Sequence, residues 1–249
     1  MAVQAWTDMS ILLGGYDMAC RATGMNLDVT AQELETTTLC VSDGHTTRIA
    51  GLRQVAFNAD LLQDYDADQV DEELGLDGGT LTVSTPLTVL PAGTDYGAVG
   101  YTFRANQFAY EQMAPVDGLA TARVSGKARR GPAVRGTVLH PPSTSRTSTG
   151  DGTGAQIGAV SATQTLYAAL HVTSASGSSP TLDVVIESDD NAGFTSPTTR
   201  ITFAQAGTQS WQWSSVAGAI TDDYWRITYT LGGGSPDFQF CVVAGIAST

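Results

Sequence analysis

The chain has 249 residues, of which 42% are hydrophobic and only 15% charged, and its formal net charge is −13. An excess of 25 acidic over 12 basic residues argues against a surface that grips nucleic acid through clustered cations, and no stretch approaches the roughly 20 apolar residues of a membrane-spanning helix. A surface with few charges is easily buried against other subunits, which favours an assembling protein over a highly soluble monomer.

The first 62 residues predict three strands. Residues 10–19 and 27–31 alternate apolar and polar side chains, and a polar turn at 42–45 separates them from a strand over 52–62. In that strand Val55, Phe57, Ala59 and Leu61 alternate with polar or small residues. A period of two places one set on a buried face and the other in water or at a subunit contact.

One helix is predicted, over residues 69–74, where acidic residues crowd the first turn. We expect Asp66 or Asp68 to cap it, and Gly75 to end it. Val70 and Leu74 lie four residues apart and can dock together on a sheet. Further strands are predicted over residues 80–89, 97–110, 119–130 and 134–139.

The composition then changes, because residues 141–154 carry no apolar side chain apart from two prolines. This predicts a flexible linker over 143–156, between a first domain at 1–142 and a second at 157–249. The second domain predicts strands at 166–172, 182–186, 225–231 and 238–246, with turns at 176–180, 189–193 and 232–236. This spacing without helices is typical of a β-sandwich, Ig-like or jelly-roll.

Several short motifs in the first domain resemble the major tail tube proteins of long-tailed bacteriophages over residues 10–140. They are ETTT at 35–38, RIAGL at 48–52, the acidic helix at 69–74 and the strand AVRGTVL at 133–139. The resemblance implies a mainly β protein, with a tail-tube β-sandwich or barrel domain and one flanking α-helix. The second domain is similar to the β-rich appendages of such proteins, and residues 181–190 resemble a strand and loop common in phage structural proteins.

What the resemblance implies about function is a structural virion protein. Six copies would close into a ring, and rings would stack into a tail tube through which genomic DNA passes without specific binding. Its partners would be itself and other tail proteins, namely the tape measure, the tail terminator and the baseplate, with no membrane. The resemblance implies no cofactor, no metal and no catalytic residue. The protein would reside in the virion tail after assembly in the host cytoplasm.

Charged residues supply the candidate subunit contacts. Lys127, Arg129 and Arg130 belong to the one basic cluster of the sequence, and the predicted helix carries Asp71, Glu72 and Glu73. We expect the cluster either to contact the acidic helix of a neighbouring copy or to lie solvated at strand ends, with DNA contact the less favoured reading. Charge pairs at an interface fix register more than affinity.

The alternative function is a baseplate or tail-fibre adhesin that binds host-surface glycans. Trp211, Trp213 and Trp225 would then form a platform for sugars, although large aromatics on a strand are more often core residues. A hydrolase is a remote third, because none of the histidines His45, His140 and His171 accompanies a Gly-x-Ser-x-Gly motif.

Two further patterns predict ordinary structure rather than sites. Asp189, Asp190 and Asn191 could ligate calcium but are default turn residues, so a polar hairpin loop is favoured. The odd number of cysteines, Cys20, Cys40 and Cys241, argues against a disulfide scaffold or zinc site. A Cys20–Cys40 disulfide stays open, beside the simpler prediction of buried reduced thiols.

Overall fold

A computed structural model describes residues 9–37, 45–66, 69–75 and 84–248. Within these ranges the chain is mainly β, as predicted. The elements are β1 Ser10–Leu13, β2 Tyr16–Asp17, β3 Ala22–Glu35, β4 Arg48–Leu62, α1 Val70–Leu74, β5 Thr85–Leu90, β6 Val99–Met113, β7 Thr121–Ala128, β8 Val134–His140, β9 Ser145–Arg146, β10 Gly150–Asp151, β11 Ala155–Gln156, β12 Gln164–Asp189, β13 Thr198–Thr202, β14 Ser210–Ala217 and β15 Tyr224–Ser248. The helix has five residues and cannot cross a membrane, and no longer apolar helix occurs in the described part.

Strand β6 organises the first half because it pairs with different strands along its length. Residues 101–105 pair with β5 on one side, while 99–102 pair with β8 on the other. From Ala105 to Met113 its partner on the β8 side is β7. Strand β7 also pairs with β4, and β4 with β3, which gives a four-stranded antiparallel sheet in the order β3-β4-β7-β6.

One face of this sheet is a hydrophobic core. The alternating residues Val55, Phe57, Ala59 and Leu61 are 5%, 1%, 6% and 1% exposed, which confirms the predicted pattern. They cluster with Ala122 and Val124 of β7 and with Val70 and Leu74 of α1. Helix α1 therefore docks on this face through the predicted apolar pair.

The capping prediction for α1 is wrong where it can be assessed. The N-cap is Gln69, and its side chain makes no capping hydrogen bond. Asp66 instead offers its backbone carbonyl to the amide of Gln69 at 3.2 Å. Asp68 lies outside the described residues. Gly75 ends the helix as predicted, and its N–H bonds to the carbonyl of Asp71.

The second half is built on two very long strands, β12 and β15, which pair antiparallel almost from end to end. The first part of β12 also pairs with β14, and its last part pairs with β13. Side chains from both parts, including Leu166, Leu170, Val184 and Ile186, belong to one buried cluster. The long β12–β15 pair therefore folds back on itself to supply both layers of one core.

The turns predicted at 176–180 and 232–236 are wrong, because both stretches continue the strands. They lie opposite each other, with Ser178 paired to Gly234, and the register shifts at Val172/Ser174, Ser176/Ser178 and Ser178/Thr181. Gly177 and Gly233 take positive φ angles there. Glycine and serine in these stretches therefore make β-bulges that bend the β12–β15 pair. The predicted turn at 189–193 is present.

The predicted flexible linker at 143–156 is ordered instead. Strands β9, β10 and β11 lie in it, and all three pair with β15. The amide of Leu231 also donates to the Thr149 hydroxyl at 3.0 Å. Backbone pairing, which its composition does not encode, holds this stretch in place, and Ala155, its one apolar side chain, packs against the core of the second half.

The two halves share one continuous sheet, because the end of β15 pairs with β8. A small buried cluster of Leu12, Leu90, Val138, Cys241 and Val243 fills this junction. Cys241 is fully buried, and burial raises the pKa of its thiol. Cys20 is exposed, and Cys40 lies outside the described residues.

Candidate functional site

The acids of α1 differ in their surroundings. The Asp71 carboxylate accepts hydrogen bonds from Gln63 Nε2 at 2.9 Å, Tyr110 Oη at 3.0 Å and Gln112 Nε2 at 2.6 Å. Glu73 is only 9% exposed, whereas Glu72 is exposed. Asp71 thus serves its own chain by fixing α1 to β6, and Glu72 is the acid of the three that a neighbour can reach.

Lys127, one of the basic candidates, lies in the middle of the four-stranded sheet. Lys127 pairs in register with Ala56 of β4 and Asn106 of β6. Because Val124 packs in the core cluster with α1 and side chains alternate along a strand, Lys127 projects from the opposite face of the sheet. Glu72 and Lys127 therefore lie on opposite sides of one subunit.

Arg129 and Arg130 are exposed just beyond the end of β7 and lie beside the half-buried Arg104. Together with Ser84 they line a pocket of about 210 Å³, which we call the arginine cavity. The ion pairs of the described residues involve Arg21, Arg48, Arg123, Arg200 and Arg226. The three arginines of the cavity therefore have no carboxylate within 4.0 Å in the described part of the chain.

Two polar atoms at the arginine cavity are buried without a partner among the described residues. They are the Ser84 hydroxyl and Arg104 Nε. Ser84 is 1% exposed and adopts a left-handed φ of 56°. Burial of a polar group without a hydrogen bond costs about 1–3 kcal/mol, and more for a charged group. An acceptor placed in this cavity would relieve that cost.

A second cavity of about 650 Å³ adjoins the first, because Arg104 and Arg130 line both. Gly131 and Pro132 also line it, and the second half of the chain contributes Tyr167, Trp213, Ser214 and Ser215. The rings of Tyr167 and Trp213 lie 5.8 Å apart between centroids at an interplanar angle of 35°. We call this the aromatic cavity.

The three predicted platform tryptophans do not act together. Trp225 is fully buried, and its Nε1 donates to the Gly158 carbonyl at 2.9 Å. Trp211 and Trp213 are half-buried on β14, but Trp211 lines a separate cavity beside Gly15 and Tyr16. Trp213 alone therefore joins the aromatic cavity, with Tyr167 as a partner that sequence spacing does not indicate.

Two of the three histidines are structural. His171 is fully buried, with Nδ1 2.6 Å from the Gly14 carbonyl and Nε2 2.7 Å from the Thr88 hydroxyl. His140 donates through Nδ1 to the Phe240 carbonyl at 2.7 Å, and Arg146 donates to its Nε2 at 2.8 Å. Burial is the main cause that lowers the pKa of each to about 4.

The Asp189 loop is closed by its own backbone. Asp189 accepts hydrogen bonds from the amides of Ser196 and Asn191, both at 2.9 Å, and these bonds, above all the one from Ser196, lower the pKa of its carboxyl. Among the described residues no group of three or more histidine, cysteine, aspartate or glutamate side chains is placed to hold a metal ion. The carboxylate therefore organises a turn, as the sequence pattern favours.

The arginine cavity is the feature that sequence reasoning did not assemble. Ser84, Arg104 and Arg130 are 20 or more residues apart, and only the pairing of β5, β6 and the 129–132 loop brings them together. The one signal available is the shortage of acids around residues 127–135.

The comparisons with known proteins are distant. No family model matches the chain, and no curated protein matches it. A chain from the C6-symmetric tail of an empty gene transfer agent particle shares 17% identity over 52% of this chain and 96% of its own, with a TM-score of 0.41. The sheath/tube terminator of the extracellular contractile injection system PVC shares 10% identity over 52% of this chain and 95% of its own, with a TM-score of 0.41.

A third solved structure covers nearly all of the chain. It is the SPP1 Dit protein, described as a paradigm of the hub adsorption apparatus in phages that infect Gram-positive bacteria. It shares 9% identity over 96% of this chain and 99% of its own, with a TM-score of 0.36. Since all three TM-scores lie below 0.5, these likenesses carry no argument about the role of this chain.

Proposed function

We propose that the chain is a structural component of a phage-type tail, and more specifically a subunit that closes into rings with copies of itself. Six copies would form each ring, and stacked rings would form the tube that genomic DNA traverses. The chain itself performs no catalysis in this role. The observation that carries the proposal is a β-sheet with two open edges and an exposed ribbon.

The four-stranded sheet ends in unpaired edges on both sides. Strand β3 pairs only with β4, and residues 106–113 of β6 pair only with β7, within the described part of the chain. Open edges invite pairing with another chain. An edge of β3 that joins the β6 edge of the next copy makes a heterologous contact, and such contacts close into a ring when the rotation allows.

The outer part of the β3–β4 hairpin, residues 28–35 and 48–54, is almost entirely exposed. We call it the ribbon. It carries Val29, Leu34, Ile49 and Leu52 with exposures of 58%, 38%, 56% and 83%. A two-stranded ribbon is at best marginally stable alone in water, and exposed apolar side chains in a group mark a contact surface. We infer that a second copy covers the ribbon.

The face of the sheet opposite α1 is polar and suits a lumen. Its cross-strand rows include Asp28, Asp60 and Glu111 beside Arg123 and Lys127. Arg123 pairs with Asp60 at 2.7 Å. The charges on this face are nearly balanced rather than strongly acidic, and a balanced surface also gives DNA few free cations to displace its counterions.

Glu72 and Lys127 are the charges we propose for the contact between copies. They lie on opposite faces of the sheet, so edge-to-edge pairing within a ring keeps them apart, and we propose that they meet between stacked rings. Arg129 and Arg130 are exposed beside the pocket that they line with Arg104, and they remain candidates for the same contact.

Sedimentation velocity of the purified chain tests the proposal. We expect a species of several subunits whose population grows with concentration. The double substitution of Ile49→Lys and Leu52→Lys should weaken association by at least about tenfold, since buried charges at an interface are costly, while the melting temperature of the monomer stays within a few degrees.

Val116→Lys is the matched control, because Val116 is 94% exposed and lies outside the ribbon. It should associate like the wild type. A wild-type protein that stays monomeric at high concentration, or a ribbon variant that assembles normally, would refute the proposed contact.

A further inference from the structure

We propose that the two adjoining cavities form a binding site for an acidic saccharide, in which the arginines hold a phosphate or carboxylate and the aromatic rings hold the sugar. The proposal does not depend on ring assembly. It rests on the described side chains at the junction between the first half of the chain and strands β12 and β14.

The anion half of the site is built from Ser84, Arg104, Arg129 and Arg130. Arg129 and Arg130 are exposed and Arg104 is half-buried, so the three guanidinium groups form an accessible cationic cluster in a chain with a net charge of −13. An oxyanion in the arginine cavity would accept hydrogen bonds from the guanidinium groups that line it, and a rotation of Arg104 and Ser84 would turn towards it the two buried atoms that lack partners among the described residues. Arginine forks match phosphate and carboxylate geometry, and such charge-assisted bonds are strong.

The sugar half of the site is the aromatic cavity. Its volume of about 650 Å³ lies within the usual range of small-molecule sites. Tyr167 and Trp213 offer half-buried apolar ring faces, against which the C–H face of a sugar ring packs. Ser214 and Ser215 line the same cavity and present hydroxyls that both donate and accept hydrogen bonds.

A compact anion fits this site better than a nucleic acid. The cations form one compact cluster of Arg104, Arg129 and Arg130, with Arg53 beside it, whereas nucleic acid is bound by rows of cations that follow its backbone. The overall negative charge repels a polyanion at long range but affects a singly or doubly charged sugar far less. The ligand class is therefore a saccharide with one acidic group, either free or as the terminal unit of an acidic polysaccharide.

Isothermal titration calorimetry on the full chain tests the site. The probes are glucose 6-phosphate, a galacturonate oligosaccharide, neutral glucose, inorganic phosphate and a single-stranded oligonucleotide. We expect at least one acidic saccharide to bind at least tenfold more tightly than both glucose and inorganic phosphate. Glucose 6-phosphate alone would assign the site to free sugar phosphates, and the oligosaccharide alone to an acidic polysaccharide; either result supports the site.

Matched variants locate the binding. Arg104→Gln and Trp213→Ala should each weaken binding at least tenfold. Arg135→Gln, at an exposed arginine outside both cavities, and Trp211→Ala, on the same strand but in another cavity, should stay within twofold. Thermal melting of each variant checks that it is folded.

Three results would overturn the proposal. They are no binding of either acidic saccharide, oligonucleotide binding as tight as saccharide binding, or saccharide binding that folded Arg104→Gln and Trp213→Ala proteins retain in full. Because every probe is measured on soluble protein, a failure here leaves the ring proposal standing, and a monomeric protein leaves this site testable.

Discussion

Two buried histidines connect parts of the chain that are far apart in sequence. His171 of β12 reaches Gly14 and Thr88, and His140 of β8 stacks on Phe240 at 3.9 Å between ring centroids. Burial keeps each ring neutral and outweighs the hydrogen bond from Nδ1 to a backbone carbonyl, which by itself favours the protonated form. A proton added to either ring would be buried, and at His140 it would also face the positive charge of Arg146.

This burial predicts a pH-dependent stability. The pKa of each histidine falls from 6.5 to about 4 on folding, so the unfolded chain takes up protons first as the pH falls. The stabilisation is complete above about pH 6.5 and is lost progressively towards pH 4. Each histidine contributes up to about 3 kcal/mol of this change. Urea unfolding at pH 7.5, 6.0 and 4.5 measures it.

The double variant His140→Gln and His171→Gln provides the comparison. It should be less stable than the wild type at pH 7.5 but lose less free energy of unfolding between pH 7.5 and 4.5. Equal pH dependence in the two proteins would show that other groups are responsible.

At the scale of elements, the β-bulges at the centre of the β12–β15 pair decide how the second half folds. Gly233 has a φ of +97°, and a Cβ there would lie 2.4 Å from the Ser179 carbonyl oxygen. Gly233→Ala should therefore lower the free energy of unfolding by about 1–3 kcal/mol, through left-handed strain and the close contact. Chemical denaturation measures the loss.

Gly24→Ala is the control for this prediction. Gly24 lies in β3 without a positive φ, and the nearest atom to an added Cβ would be 3.9 Å away. It should change stability by less than about 1 kcal/mol. A Gly233→Ala protein as stable as the Gly24→Ala protein would contradict the role of the bulge.

Elements that a local sequence pattern determines could be predicted, and those that depend on pairing with a distant strand could not. The alternation in β4 and the Val70–Leu74 pair are local patterns, and both bury the expected face. The glycines at 177 and 233 give the same local signal whether they serve a turn or a bulge, and only the partner strand decides between them. The pairing of β9, β10 and β11 with β15, like the convergence of Arg104 on Arg130, is long-range and leaves no periodic trace in the sequence.

At the scale of the whole molecule, the placement of Glu72 and Lys127 predicts a charge pair between copies. Glu72→Lys or Lys127→Glu alone should weaken association by about tenfold, because like charges then face each other across the interface. The double swap restores opposite charges and should recover part of the loss. Mass photometry across a concentration series measures all four proteins.

A double swap that assembles no better than the weaker single variant would rule out this pair. Salt is an independent check, since an exposed charge contact is screened as ionic strength rises. The ribbon contact, which is largely apolar, should change less with salt.

The central claim is that the open edges of the β3-β4-β7-β6 sheet find their partners in other copies of the chain. Cryo-electron microscopy of the purified protein at high concentration tests it most directly. The account predicts closed rings in which β3 of one copy pairs with residues 106–113 of β6 in the next and the polar face lines a central channel. Particles that remain single folded chains, or rings in which both edges face solvent, would contradict it.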